Sequence, residues 1–313
     1  MNELQKISYY QDSINFILDI QASDGSISWE QNKKFDPWDH IESAMALTVA
    51  GETEAAMKAF QWMQSNQEKE GGWFSEYKSG QPSKKRMETN FAAYICVGIW
   101  HFYLVTKDKG FLEDYYPVLE KAMEFVSSMQ TDSGDILWAL NAKGSKLDDS
   151  LITGCSSIYK SFECFYAIKK QLNKDMGSLE TKMESLKTAI VNKPERFDRG
   201  WKSKERYSMD WYYPILCGVI TGKAGIERYQ LKEGEFIVEG MGCKCVVEEP
   251  WVTIAESSEL VMALASLGEI NRAQEIFSWL HQWKDPKDNL YWTGYVYPDK
   301  AFWPIEKPTW TAA

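Results

Sequence analysis

Histidine, basic charge and long apolar runs are all scarce in this chain, and each scarcity removes a class of function. Three scattered histidines (His40, His101, His281) serve 313 residues, so neither Cys155 nor Ser156-Ser157 has the partner a nucleophilic triad needs. Lys and Arg number 35 against 45 Asp and Glu, a net charge of −10 with no basic stripe, which argues against a nucleic-acid partner. No stretch reaches the ~18 uninterrupted apolar residues of a membrane span. The six cysteines suggest no disulfide framework at this length. Cys243-Lys244-Cys245 has metal-like spacing, but no second Cys or His pair follows to complete a zinc set. No phosphate loop occurs: Gly71-Gly72 turns ahead of Trp73, and Gly240-Met241-Gly242 is not followed by a helix. The opening MNELQKISYYQDS lacks the charged-then-apolar layout of a signal peptide, so the cytoplasm is the expected location.

Aromatic side chains, by contrast, are abundant. Fourteen Trp, sixteen Tyr and fourteen Phe make 14 % of the chain, a composition suited to lining a cavity with rings. Trp29, Trp73, Trp138, Trp201, Trp251 and Trp292 each close a short Gly/Asp/Asn-rich loop. An acid follows each a few residues on: Asp39, Glu88, Asp148 with Asp149, Asp210, Glu256 and Glu306. A unit of roughly 40–65 residues recurring in this way cannot bury its own apolar face and must stack on its neighbours.

Helical periodicity fills the units. A helix is expected over Glu3–Gln21, ended by Ser23-Asp24-Gly25. Asp36-Pro37-Trp38-Asp39 opens the next, with proline suited to a first turn and Asp to its positive end. Its apolar run 41–50 stops at Gly51, and an amphipathic helix follows over 52–64. Thereafter nearly all-apolar segments (86–105, 148–168, 210–220, 256–267) alternate with one-sided ones (111–129, 176–191, a weak stretch near 226–231, 271–283). A helix apolar all round is surrounded by protein, whereas a one-sided helix faces solvent. An inner ring of helices within an outer ring satisfies both: an all-α fold, an α/α toroid of about six helical hairpins, forming one domain over 1–313. The alternating segment 236–247, with Gly240 and Gly242, is expected to be a small β insertion. Phe302–Ala313 reads as the start of a sixth inner helix whose outer partner is the N-terminal helix. The natural chain is expected to continue for about a dozen residues, the length such a helix needs.

The loops carry a resemblance. Phe16-x4-Gln21-x3-Gly25-x3-Trp29, Phe60-x3-Gln64 leading to Gly72-Trp73, and Phe125-x4-Gln130-x3-Gly134-x3-Trp138 resemble the QW-type repeats of terpenoid cyclase and protein prenyltransferase toroids. Phe277-x4-Gln282 leading to Trp292 is a looser copy. This resemblance implies shape and not activity. Lys146-Leu147-Asp148-Asp149 has lysine where the cyclase Asp-x-Asp-Asp acid begins, and no prenyltransferase Asp, Cys and His zinc set can be assembled. A second stretch is similar to the recurring unit of six-hairpin glycosidases: Glu88-Thr89-Asn90, then Tyr103–Asp108, Phe111–Pro117 and Ala122–Phe125. It implies sugar chemistry without pointing to a catalytic residue.

Glycosidic cleavage asks for two carboxyls, ~5–5.5 Å apart for retention or ~6.5–9.5 Å for inversion. An acid in a first helical turn is by default a cap, worth ~0.5–2 kcal/mol. Six in register in a toroid, however, converge on one mouth. Asp39, Asp210 and Glu256, followed by Glu88, are the expected catalytic acids, because a carboxyl packed against aromatics in a cleft keeps its proton. Trp38, His40, Trp73, Trp211, Tyr212, Tyr213, Trp251, Trp292, Trp303 and Glu306 are the expected substrate contacts. Asp148-Asp149, with Ser150 and Thr153 beside it, fits capping. Asp36-x-x-Asp39-His40-x-Glu42 has metal-like content, but helical spacing is expected to scatter these side chains over different faces. No metal or cofactor is required. The leading expectation is a carbohydrate-active enzyme, a glycoside hydrolase acting on an oligosaccharide or other small molecule. The alternatives are a terpenoid cyclase- or prenyltransferase-like enzyme acting on an isoprenoid, and a non-catalytic ligand-binding toroid.

Overall fold

The computed structural model describes residues 9–313. Twelve helices follow in order: α1 (Gln11–Ile20), α2 (Pro37–Val49), α3 (Thr53–Ser65), α4 (Thr89–Thr106), α5 (Lys109–Ser128), α6 (Ile152–Gln171), α7 (Leu179–Asn192), α8 (Ser208–Leu216), α9 (Gly222–Phe236), α10 (Ile254–Ser266), α11 (Ile270–Leu280) and α12 (Thr309–Ala312). The even-numbered helices are the inner ring. Each packs on the next, and α12 returns to α2. The odd-numbered helices lie outside on their hairpin partners, with α1 against α12. The expected α/α toroid of six hairpins is therefore the fold.

Inner helices differ from outer ones as their sequences require. α4 carries no Asp, Glu, Lys or Arg, since protein surrounds it. Gly98 in its middle lets the ring close up: a Cβ there would stand 2.6 Å from Ile41 of α2 and 2.9 Å from Phe60 of α3. The segment read as weak near 226–231 is the full helix α9. Its Tyr229 and Phe236 stack on Trp211, so tertiary packing supplies what local pattern lacks. The part of the first expected helix before residue 9 lies outside the described residues.

The loop signature has a physical basis. The Gln21 amide donates to the Gly25 carbonyl of its own loop (3.1 Å) and to the Ala55 carbonyl of the next hairpin (2.9 Å). Gln130 repeats this with Gly134 (3.0 Å) and Lys182 (3.0 Å). In the second unit the tie is Gln67, to Gly71 and Val118 (both 2.9 Å), and not Gln64 as the Phe60-x3-Gln64 spacing suggests. The loop glycines stand at φ +94 (Gly25) and +100 (Gly134), where a Cβ would lie 2.1 Å from the Lys58 carbonyl and 2.3 Å from that of Ser185. Each loop is thus bolted to the following outer helix, which fixes where the next inner helix begins.

Short strands frame that end of the ring. β1 (Lys34–Phe35), β2 (Glu76–Lys78) and β3 (Gln81–Lys84) form an antiparallel sheet, and β4 (Met87–Glu88) pairs with β5 (Ala139–Leu140). The expected insertion is the hairpin β6 (Ile237–Val238) and β7 (Gly242–Lys244). It extends through β8 (Trp251–Thr253) and β9 (Gly294–Val296) to β10 (Ala301–Phe302) as a five-stranded sheet. The seam closes where Thr309 of α12 donates its amide to Trp29 O (2.8 Å) and its hydroxyl to Ser28 O (2.9 Å). No helix among the described residues is long and apolar enough to cross a membrane.

Candidate active site

The first two turns of α2 carry three acids on one face. Asp36 caps the helix, accepting the Asp39 amide at 3.0 Å, and Asp39 and Glu42 follow at intervals of three. The sequence-based expectation that this set scatters holds for His40, which points away to Ile27 and Ala59, but not for the three acids, since steps of three shift by only about a sixth of a turn around the helix. Burial and the charges of Asp36 and Glu42 hold the Asp39 carboxyl well above its ordinary range, partly offset by the Trp29 indole. Burial and the charge of Glu259 on α10 push Glu42 up to about 8, against a hydrogen bond from the Trp38 indole (2.5 Å). All three acids are half-buried, keeping some surface open to water although protein surrounds them.

α10 repeats the spacing. Glu256 stands in its first turn and Glu259 one turn deeper. Burial pushes Glu259 up to about 7, opposed by the hydroxyls of Tyr212 and Tyr213, which both donate to it. Oε2 of Glu256 is buried with no protein partner. Glu42 senses Glu259 across the ring, and Asp39 and Glu256 each stand three residues ahead of these acids, in the first turns of helices that both touch α12. Trp38 stacks on Tyr94 (4.8 Å) and meets Phe91 (6.0 Å) and Tyr213 (5.9 Å), giving the acids an aromatic floor. Glu88, set by β4 at the start of α4, is raised by burial, while the Arg86 guanidinium on its Oε1 opposes the rise. Arg86 also covers the face of Trp138 at 4.5 Å, and Trp201 meets that ring edge-on at 5.2 Å. Trp251 and the exposed Trp303 pair at 4.9 Å on the rim above α10.

Several expected site residues lie elsewhere. His40 is wholly buried; Nδ1 accepts the Ile27 amide (3.1 Å), Nε2 faces the Ala59 carbonyl (2.9 Å), and burial lowers it to about 4. It ties a loop and has no surface to offer a ligand. Trp73 is likewise sealed, its indole bonded to Met63 O, and Trp211 is sandwiched among Tyr229 and Phe236 with its indole on Arg228 O. Tyr212 and Tyr213 are buried and both bond Glu259, and Tyr213 also meets Trp38. Asp210 is pushed up to about 6 by burial and Asp198, but the other charges it senses are Arg228, Glu205 and Lys232, apart from the α2 and α10 acids. Trp292 is engaged by Phe302 (5.0 Å) and Lys307 (4.2 Å), and Glu306 senses Glu30 at the α12 seam. Asp149 caps backbone, accepting the Ser150, Arg199 and Gly200 amides, while Asp148 is exposed on Arg199. The sequence reading missed Glu42 and Glu259 as site acids. Their signal was the spacing of three behind Asp39 and Glu256.

No family model matches the chain. Among solved structures, a glycosidase variant in complex with glucose superposes with a TM-score of 0.77 at 10% identity, covering 99% of this chain and 95% of that one. A D-mannose isomerase superposes with a TM-score of 0.73 at 10% identity, over 99% and 96% of the two chains. Cellobiose 2-epimerase from Bacillus thermoamylovorans gives 0.69 at 10% identity, over 99% and 97%. These likenesses are of fold. In sequence, the chain is 41% identical over 297 residues to the MMP endo-(1,4)-3-O-methyl-alpha-D-mannosidase of Mycolicibacterium hassiacum, covering 95% of this chain and 81% of that protein. With that identity over that span, the chain belongs to the family of this mannosidase and is a glycoside hydrolase.

Proposed function

We propose that the chain cleaves internal bonds in a 1,4-linked oligomer of 3-O-methyl-α-D-mannose, with Asp39 as general acid and Glu256 as the carboxylate that activates water or attacks carbon. The observation that carries this reading is the like register of α2 and α10: an acid in each first turn and a second acid three residues on, with Glu42 sensing Glu259. Asp39, crowded by Asp36 and Glu42, keeps a proton to give the leaving oxygen. Glu256, with an unpartnered buried oxygen, has a lone pair to spend on the opposite side of the bond. Glu88, Trp251 and Trp303 are proposed as contacts for flanking sugars. The several wall acids favour a sugar over an isoprenoid, whose cation-shielding pocket wants apolar rings around a single acid.

The test is product analysis on a 1,4-linked 3-O-methyl-α-mannose oligosaccharide. The wild-type chain is expected to release internal fragments, and Asp39→Asn and Glu256→Gln to slow cleavage by roughly 10²–10⁴-fold. Wild-type rates in both variants would sink the assignment.

A further inference from the structure

The cavity floor holds a carboxyl that the cleavage step leaves unused. Glu42 lies one turn beneath Asp39, and only one of its oxygens is engaged: Oε1 accepts the Trp38 indole N–H at 2.5 Å and the Tyr94 hydroxyl at 3.4 Å. Oε2 has no protein partner among the described residues. α2 is covered outside by α3 and flanked by α4 and α12, so the surface Glu42 keeps open faces the ring axis. The titratable groups around it are Asp36 and Asp39 on α2, Tyr94 on α4, Tyr213 on α8 and Glu259 on α10, none of them a cation. Both occupants of Oε1 are donors, so a proton on this side chain belongs on Oε2, pointing into the cavity.

That arrangement suits an unusual acceptor. An ionised carboxylate only accepts hydrogen bonds, whereas a protonated one also donates. A sugar hydroxyl can satisfy either form, but an ether oxygen can only accept and is satisfied by the protonated form alone. The rings around Glu42 (Trp38, Phe91, Tyr94) provide apolar surface for a methyl group. We propose that Glu42 is a specificity-determining residue that donates from Oε2 to the ether oxygen of a methylated sugar while the methyl group packs on the aromatic floor. This rests on the substrate reading above and extends it to a named atom. Burial and Glu259, which push this carboxyl up to about 8, keep the donor in place at neutral pH.

The experiment measures the ratio of kcat/KM for 3-O-methylated over unmethylated 1,4-linked α-mannose oligosaccharide, a ratio that cancels titrations common to both. The wild-type preference for the methylated sugar should fall about tenfold, the worth of one hydrogen bond, as pH rises past 8. In Glu42→Gln the amide still accepts from Trp38 and donates to the ether, so the preference should persist across that range. In Glu42→Leu both sugars lose the bond, so kcat/KM for each should fall about tenfold and their ratio should show no such pH trend. Coincident pH trends for wild type and Glu42→Gln would overturn the proposal even if the leucine variant failed to fold. A wild-type pH trend that persists in a folded Glu42→Leu would do the same. Either result, with the methylated oligosaccharide still cleaved, leaves the substrate reading standing. A wild type that cleaves neither sugar removes both.

Discussion

Asp135 and Glu42 are both acids held within the ring, and they end in opposite states. Asp135, in the loop before α6, is completely buried, yet Arg196 (2.9 Å), Thr131 and Ser150 overcome the burial and draw it down to about 2, and Arg199 adds a second guanidinium at 3.2 Å. Glu42 keeps a path to water but has no cation, and it goes up to about 8. Burial alone therefore does not decide what an acid becomes. One met by guanidiniums is a strut between the α5–α6 and α7–α8 loops. One left among aromatics and other acids is a proton store. Glu42 and Glu259 sense no cation among the described residues, and that is the sector in which the chemistry is proposed.

Crossed substitutions sharpen the contrast most. Asp39→Asn, on the proton-holding side, should lose kcat on the order of 10²–10⁴-fold while its melting temperature holds or rises, because the folded chain no longer has to hold a proton that the unfolded chain sheds. Asp135→Asn should do the reverse. Unfolding in denaturant should show a loss of roughly 2–3 kcal/mol, below the range for a fully buried pair because the guanidiniums reach solvent, with kcat nearly unchanged. A catalytic collapse in Asp135→Asn with full stability would break the distinction.

Stability against pH gives a subtler separation. Glu42 has a raised folded-state value, so its contribution is complete below its ordinary 4.5 and is lost as pH climbs through about 8. Asp135 has a depressed one, so its contribution is complete above 3.8 and is lost as pH falls through about 2. Between pH 5 and 8 only the first changes. Thermal melts should show wild-type stability declining over that window and Glu42→Gln declining less. A parallel slope in both proteins would mean that other groups dominate. The smallest effect is Trp211→Phe, which removes the indole bond to Arg228 O. It should cost about 1 kcal/mol and leave KM alone, marking Trp211 as scaffold.

The ring was legible in the sequence because its cause is repetitive. Gly25 and Gly134 need a left-handed backbone pressed against a neighbouring carbonyl, and Gln21 and Gln130 each bridge two units, so the spacing recurs. The alternation of inner and outer helices followed from one-sided against all-round apolarity. α9 was faint since its order comes from Trp211, a residue ahead of it on α8. For the site, the acids in first turns were visible, but those one turn deeper were not sought. Trp73, Trp211 and His40 look like site residues from their neighbours alone. Their polar atoms are in fact spent on backbone carbonyls or amides, which only three-dimensional packing reveals.

The seam between α12 and the loop before α2 has a consequence for how the enzyme is made. Trp310 leans on Trp29 at 6.1 Å, and Trp29 stands beside Asp39. A growing polypeptide on the ribosome has long since extruded Asp39 and Glu42 when Thr309 is still untranslated. Until those late residues emerge and dock, the flank of α2 lies open to water. Closure of the ring thus waits on residues synthesised long after the acids whose flank they cover.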